Sequence, residues 1–130
     1  MIKILIVEDE PNIRLLTAEI LKDIEEPKTQ IITAVNGKKG LEAIKIENPD
    51  IVFLDIMMPE MDGYEVARIA KKELDLKNVY ILLFTAKGSG LLSDKQKFID
   101  SGADEFMVKP FDPELIILKA MEIIDKRNLS

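Results

Sequence analysis

Five short apolar runs, near residues 2–7, 30–35, 50–55, 79–84 and 105–108, alternate along the chain with stretches of helical periodicity. Strands separated by helices predict a parallel sheet covered on both faces. Right-handed crossovers make the economical topology a doubly wound, five-stranded α/β sheet. The third run is the most telling. Ile51-Val52-Phe53-Leu54 is apolar without alternation and lies between Asn48-Pro49-Asp50 and Pro59, so it reads as a strand buried on both faces. Ile2 to Val7 has the same character. Both runs end in acid: Glu8-Asp9 after the first and Asp55 after the third. Carboxylates at the ends of buried strands are costly unless a cation joins them.

Between the strands, Ile13, Leu16, Ile20 and Ile24 recur at helical spacing behind Pro11, a residue suited to the first helical position. That helix is expected to end around Glu25-Glu26-Pro27. A second helix is predicted over 38–47, between the Asn36-Gly37 turn and the Asn48-Pro49-Asp50 stop. A third begins near Asp62-Gly63, with Val66, Ile69 and Ala70 on one face. A fourth runs from Leu91 to Ile99, after the Lys87-Gly88-Ser89-Gly90 loop and before Ser101-Gly102. The fifth runs from Pro113 to about Arg127 and places Ile117, Met121 and Ile124 in a core stripe. Ile116 and Ile123 lie about 100° away on the helical wheel. They read either as part of a broad core face or as a partner surface. No repeat, linker or low-complexity tract divides the 130 residues, which are expected to form a single domain over 1–130.

Composition narrows the chemistry. With no Cys there is no disulfide, thiol nucleophile or zinc-thiolate site, and with no His there is no Ser-His-Asp chemistry or imidazole ligation. The net charge of −6 argues against a nucleic-acid-binding surface. No run reaches membrane-spanning length, and the N-terminus enters a strand with no signal-peptide pattern, so a cytoplasmic location is expected.

In a doubly wound sheet the C-terminal ends of the strands share one rim, where ligands bind. That rim collects Glu8 and Asp9, Asp55, Thr85 after the fourth strand and Lys109 after the fifth. Carboxylates without His or Cys suit a hard cation. Mg²⁺ uses one or two of them and completes its shell with water and phosphate oxygens. Asp55 can itself accept a phosphoryl group as an aspartyl-phosphate, with Lys109 neutralising it and Thr85 donating a hydrogen bond.

Over its full length the chain resembles the receiver domain of bacterial two-component response regulators, of the chemotaxis-regulator type. The resemblance rests on Ile4-Leu5-Ile6-Val7-Glu8-Asp9-Glu10, on Pro49 through Pro59 with Met61-Asp62-Gly63, on Thr85-Ala86, and on Gly102-Ala103-Asp104 through Lys109-Pro110-Phe111. It implies a flavodoxin-like strand order, 2-1-3-4-5. It implies that Asp55 is phosphorylated by a sensor histidine kinase or a histidine phosphotransfer protein. Asp9, Asp55 and the Met57 carbonyl would bind Mg²⁺, with Glu8 acting largely through water. Backbone amides of Met57 and Ala86 would hold the phosphoryl group, Thr85 would move to meet it and Lys109 would pair with it. Phe106 stands at the switch-aromatic position, and the bond before Pro110 is expected to be cis. Met57 and Lys87 would flank the site and tune dephosphorylation. The repacked face of the fourth helix, fifth strand and fifth helix would control a downstream protein or output domain, or a phosphorylation-linked homodimer. One charge-assisted contact of about 1.5–3 kcal/mol falls short of the roughly 5.5 kcal/mol that inverts a 1:99 equilibrium. Partner binding or dimerisation is therefore expected to complete the shift.

Two other readings fit less well. A haloacid-dehalogenase-type, Mg-dependent phosphatase has a second Asp two positions after its nucleophile, where this chain has Met57. A degenerate receiver serving only as a binding module would not need Glu8, Asp9, Asp55, Thr85 and Lys109 together. The expected role is a switch that assists its own phosphorylation and autodephosphorylation, not an enzyme turning over a separate substrate.

Overall fold

The computed structural model describes residues 1–25, 27–85, 91–108 and 112–127. Along the chain, β1 (Ile2–Val7), α1 (Pro11–Leu21), β2 (Thr29–Ala34), α2 (Gly37–Glu47) and β3 (Ile51–Asp55) are followed by α3 (Gly63–Arg68). A π-helical segment (Ile69–Glu73) extends α3, and β4 (Tyr80–Thr85), α4 (Leu91–Ser101), β5 (Glu105–Val108) and α5 (Pro113–Lys126) complete the order. All pairings are parallel and the strand order is β2-β1-β3-β4-β5, as expected.

Strand alternation sorts the core into two layers. Ile2, Ile4 and Ile6 of β1, Ile51 and Phe53 of β3, and Tyr80, Leu82 and Phe84 of β4 pack with α1 and α5. Leu5, Val7, Val52, Leu54, Ile81 and Leu83 face α2, α3 and its π-helical extension. Every residue of β3 is buried, which explains why its sequence shows no alternation.

The helices differ from expectation in places. Helix α1 ends at Leu21, with Lys22 as its C-cap, although Ile24 beyond it stays buried. Its buried residues are Thr17, Ala18, Ile20 and Leu21, while Leu16 faces solvent. In α5 the stripe on the sheet is Ile116, Ala120, Ile123 and Ile124, with Ile117 and Met121 only partly buried beside it. Ile116 and Ile123, each 1% exposed, are thus core and not a partner surface. The leucines of α5 that face solvent are Leu115 and Leu118. The π-helical segment closes its hydrogen-bonded loop with one extra residue: Leu74 N–H donates to the Ile69 carbonyl at 2.8 Å, and Arg68 reaches Glu73 five residues on.

Two groups of contacts clamp the ends of β4 and β5 to their helices. Asp104 bridges neighbours: its carboxylate accepts from Ile81 N–H at 2.8 Å and meets the Lys71 ammonium at 2.9 Å. On the opposite face, the Tyr80 hydroxyl donates to Glu105 at 2.7 Å, and Glu105 also pairs with Lys119 of α5. Burial, then the bond to Glu105, raises the Tyr80 pKa above its usual 10.0. The Glu105 bond raises Lys119 above its usual 10.5, against a smaller opposing effect of burial. Both groups hold their protons more tightly in the folded state. Their contribution to stability is therefore full below these unfolded values and is lost as pH rises through the folded ones. Urea midpoints should fall as pH rises above about 10, and more shallowly in Glu105→Gln; an unchanged slope in that variant would show that the clamp is not linked to the titration.

Candidate phosphoacceptor and cation site

The register of the sheet brings the acids together. β1 and β3 are neighbours with Val7 opposite Leu54, so the next residues, Glu8 and Asp55, stand side by side at the strand ends. Asp9 follows at the turn into α1. One carboxylate oxygen from each of Glu8, Asp9 and Asp55 lies within 4.8 Å of the others. Glu8 and Asp55 are only 1% and 2% exposed, and Asp9 is more open. Three acids so close, two of them shut away from water, form an oxygen-only donor set that fits a hard divalent cation.

The surrounding backbone holds the set in place. Asp55 Oδ1 accepts from Met57 N–H at 3.1 Å. A Glu8 carboxylate oxygen accepts from Glu10 N–H at 3.1 Å, and Glu8 N–H donates to the Ala34 carbonyl of β2 at 3.2 Å. Glu10 caps α1 by accepting from Ile13 N–H at 2.8 Å. Beyond Asp55, Ile56 N–H pairs with the Phe84 carbonyl and Gly63 N–H with the Ile56 carbonyl, each at 3.0 Å. The Met57 side chain is 64% exposed at the mouth of the site.

Gly63 opens α3 against the end of β3. A Cβ there would stand 2.5 Å from the Asp55 carbonyl oxygen and 2.9 Å from the Ile56 Cα. Both are backbone atoms that no side-chain rotation can move aside. Gly63→Ala should therefore cost about 1–3 kcal/mol of stability by overpacking, seen as a lower urea midpoint. A midpoint equal to wild type would mean that α3 does not press on the acceptor strand.

Phe106 occupies β5 on the side of the sheet that faces α4. Its ring meets Phe98 edge to face, with centroids 5.3 Å apart and planes at 70°, an arrangement worth about 0.5–1.5 kcal/mol beyond area burial. Phe106 is 40% exposed. Thr85 ends β4, with Asp55 opposite Phe84 one strand away and Val108 of β5 opposite Thr85 itself. The Thr85 side chain, Ala86, Lys87, Lys109 and Pro110 lie outside the described residues.

The sequence reading passed over two contributors. Arg14 reaches back from α1 to donate to the Glu8 carbonyl at 3.0 Å, and Phe98 is the partner of Phe106. Neither belongs to a motif. The available signals were a cation in the first turn of a helix, where the macrodipole disfavours it, and the lone aromatic of α4.

Comparisons with known proteins agree with this fold. The family model described as "Response regulator receiver domain" matches residues 4–121. A probable transcriptional regulator, ycf27, from Pyropia yezoensis is 40% identical over 126 residues, covering 97% of this chain and 49% of that protein. The alkaline phosphatase synthesis transcriptional regulatory protein PhoP of Bacillus subtilis is 33% identical over 129 residues, covering 98% and 50%. The chain thus spans about half the length of these curated relatives. Among solved structures, the chemotaxis response regulator CheY4 of Vibrio cholerae superposes with a TM-score of 0.81 at 27% identity, covering 95% of this chain and 98% of that one.

Proposed function

This chain belongs to the response regulator receiver domain family, and we propose that Asp55 is its phosphoryl acceptor. Receiver domains are phosphorylation-dependent signalling switches. In this reading residues 1–130 act as one such unit, and the donor is a phosphohistidine on a sensor kinase or phosphotransfer protein. An Asp55 carboxylate oxygen attacks phosphorus, the new O–P bond forms as the P–N bond breaks, and the imidazole leaves. The observation that supports this most is the closed set of Glu8, Asp9 and Asp55 oxygens at the strand ends.

Asp9 and Asp55, with the Met57 carbonyl, would hold Mg²⁺, and Glu8 would act on its water shell. The ion would supply charge neutralisation for the phosphoryl oxygens, the main need in this kind of transfer. Met57 N–H, which already donates to Asp55, would remain as a donor to the phosphoryl group, joined by Ala86 N–H. Lys109 would pair with the added charge and Thr85 would hydrogen-bond to it. With Thr85 drawn toward Asp55, Phe106 would turn into the vacated space and exchange its edge-to-face contact with Phe98 for burial. The face of α4, β5 and α5 would thereby change. That face carries the exposed Ile99, Phe106 and Leu115, suited to a downstream protein, an attached output domain or a second copy of this chain.

The protein stores a signal and assists its own phosphorylation and autodephosphorylation, with Met57 and Lys87 controlling the approach of water. A cytoplasmic location suits a kinase-driven switch, and no helix among the described residues is long and apolar enough to cross a membrane. With a net charge of −6, this unit would act by protein contact and not by touching nucleic acid itself. The test is incubation with a small phosphodonor and Mg²⁺ followed by intact mass. One added phosphoryl group is expected, and it should not form when the metal is chelated. Sustained hydrolysis of phosphomonoesters would instead favour a phosphatase.

A further inference from the structure

We propose that Arg14 is a positioning residue for the cation site: its guanidinium fixes the Glu8–Asp9 peptide so that the Asp9 carboxylate faces the metal. The inference rests on the magnesium reading above and deepens it.

β1 pairs with β3 only as far as Val7 opposite Leu54. The Glu8 N–H is still held by Ala34 of β2, but the Glu8 carbonyl lies past the paired strand. That carbonyl and the Asp9 N–H share one rigid peptide plane, so whatever holds the carbonyl sets the direction in which Asp9 leaves the strand. Arg14 Nη1 holds it at 3.0 Å from one turn into α1. Arg14 is itself anchored, since its backbone N–H donates to the Glu10 carbonyl at 3.0 Å. Glu10 in turn caps the helix through Ile13 and donates its N–H to the Glu8 carboxylate. Glu8, Glu10 and Arg14 therefore close a ring of bonds around Asp9, which is left to present its side chain to the rim.

The location of this cation needs a reason. Beyond its Glu10 cap, the first turn of α1 contains no acid, and a guanidinium there opposes the helix macrodipole. It also stands beside a site meant for another cation, so its charge alone would weaken Mg²⁺ binding. Positioning and charge thus predict opposite signs when Arg14 is removed.

The test uses isotope-labelled protein and Mg²⁺ alone as the probe, with the dissociation constant read from backbone amide shifts and the exchange rate of the Asp9 amide read without metal. Arg14→Met is expected to bind Mg²⁺ about tenfold or more weakly, the scale on which outer-shell partners of metal ligands act. Its Asp9 amide should exchange faster in metal-free protein while the thermal midpoint in chelator stays close to wild type. Arg14→Lys keeps a donor of similar reach and should recover most of the affinity. If Arg14→Met does not fold, Arg14→Gln, neutral and too short to span the turn, gives the same reading. Equal or tighter Mg²⁺ binding by the neutral variants overturns the proposal, as does an Arg14→Lys variant no better than Arg14→Met. If the wild-type protein itself binds no Mg²⁺, the magnesium reading fails first and this inference falls with it.

Discussion

Asp55→Asn should remove phosphoryl uptake altogether while making the resting protein more stable. The amide cannot act as the attacking oxygen nucleophile, so the rate of modification by a small phosphodonor should fall at least about a thousandfold, as expected when a covalent nucleophile is deleted. The fold should survive, because Asn keeps the Oδ1 acceptor that receives Met57 N–H at 3.1 Å. Stability should rise for an electrostatic reason. Carboxylate oxygens within 4.8 Å of one another repel by about 3 kcal/mol per ionised pair at an effective dielectric of roughly 20. The Met57 and Glu10 amides, which donate to Asp55 and Glu8, already offset part of this, so a net gain of about 1–2 kcal/mol is expected, or roughly 3–8 °C in Tm for a chain of this size. Thermal melts in chelator check it. A lower Tm would mean that the cluster is not held together against its own charge.

The second large effect concerns the metal. Ligand that binds only the folded state stabilises it by about 2.7 kcal/mol at a hundred times its dissociation constant. Wild-type protein should therefore melt several degrees higher in saturating Mg²⁺ than in chelator. Asp9→Ala removes the most open of the three acids without disturbing the buried pair. It should lose this Mg²⁺-dependent rise and retain the melting temperature of metal-free protein or exceed it. Phosphorylation by a small donor should become nearly insensitive to Mg²⁺ and slow. A full Mg²⁺-dependent shift in Asp9→Ala would place the ion elsewhere.

The parts of this molecule that could be read in advance are those where one physical demand dominates. Ile51 to Leu54 and Ile4 to Val7 are buried on both faces, so their composition alone marks them as central strands. The acids after them are conspicuous because nothing apolar can explain them. At the edge of the sheet the demand weakens: β2 runs from Thr29 to Ala34, one residue earlier than its apolar run, and Val35 is left exposed. In α5, Ala120 sits fully buried at the centre of the packed stripe. A methyl group carries too little hydropathy to announce this, so the larger Ile117 and Met121, which pack only partly buried against the same core, drew the stripe toward its margin. The π-helical turn at Ile69–Glu73 has no residue signature, because Leu74 N–H simply chooses a carbonyl one residue further back. Arg14 and Phe98 act through a single bond and a single ring contact, which spacing along the chain does not encode. The site's acids were legible because they violate the pattern of the core, while their supports were not because a single arginine or phenylalanine on a helix does not reveal which partner it reaches.

The most direct measurement of the central claim is the chemical position of the label. Protein treated with phosphodonor and Mg²⁺ can be reduced with borohydride, which converts an acyl phosphate to the corresponding alcohol, and then digested and mapped by mass. The account predicts homoserine at position 55, formed only when donor and metal are both present. Homoserine at Asp9 or another aspartate, 2-amino-5-hydroxyvaleric acid at Glu8 or another glutamate, or a phosphoryl group that resists reduction, would contradict it.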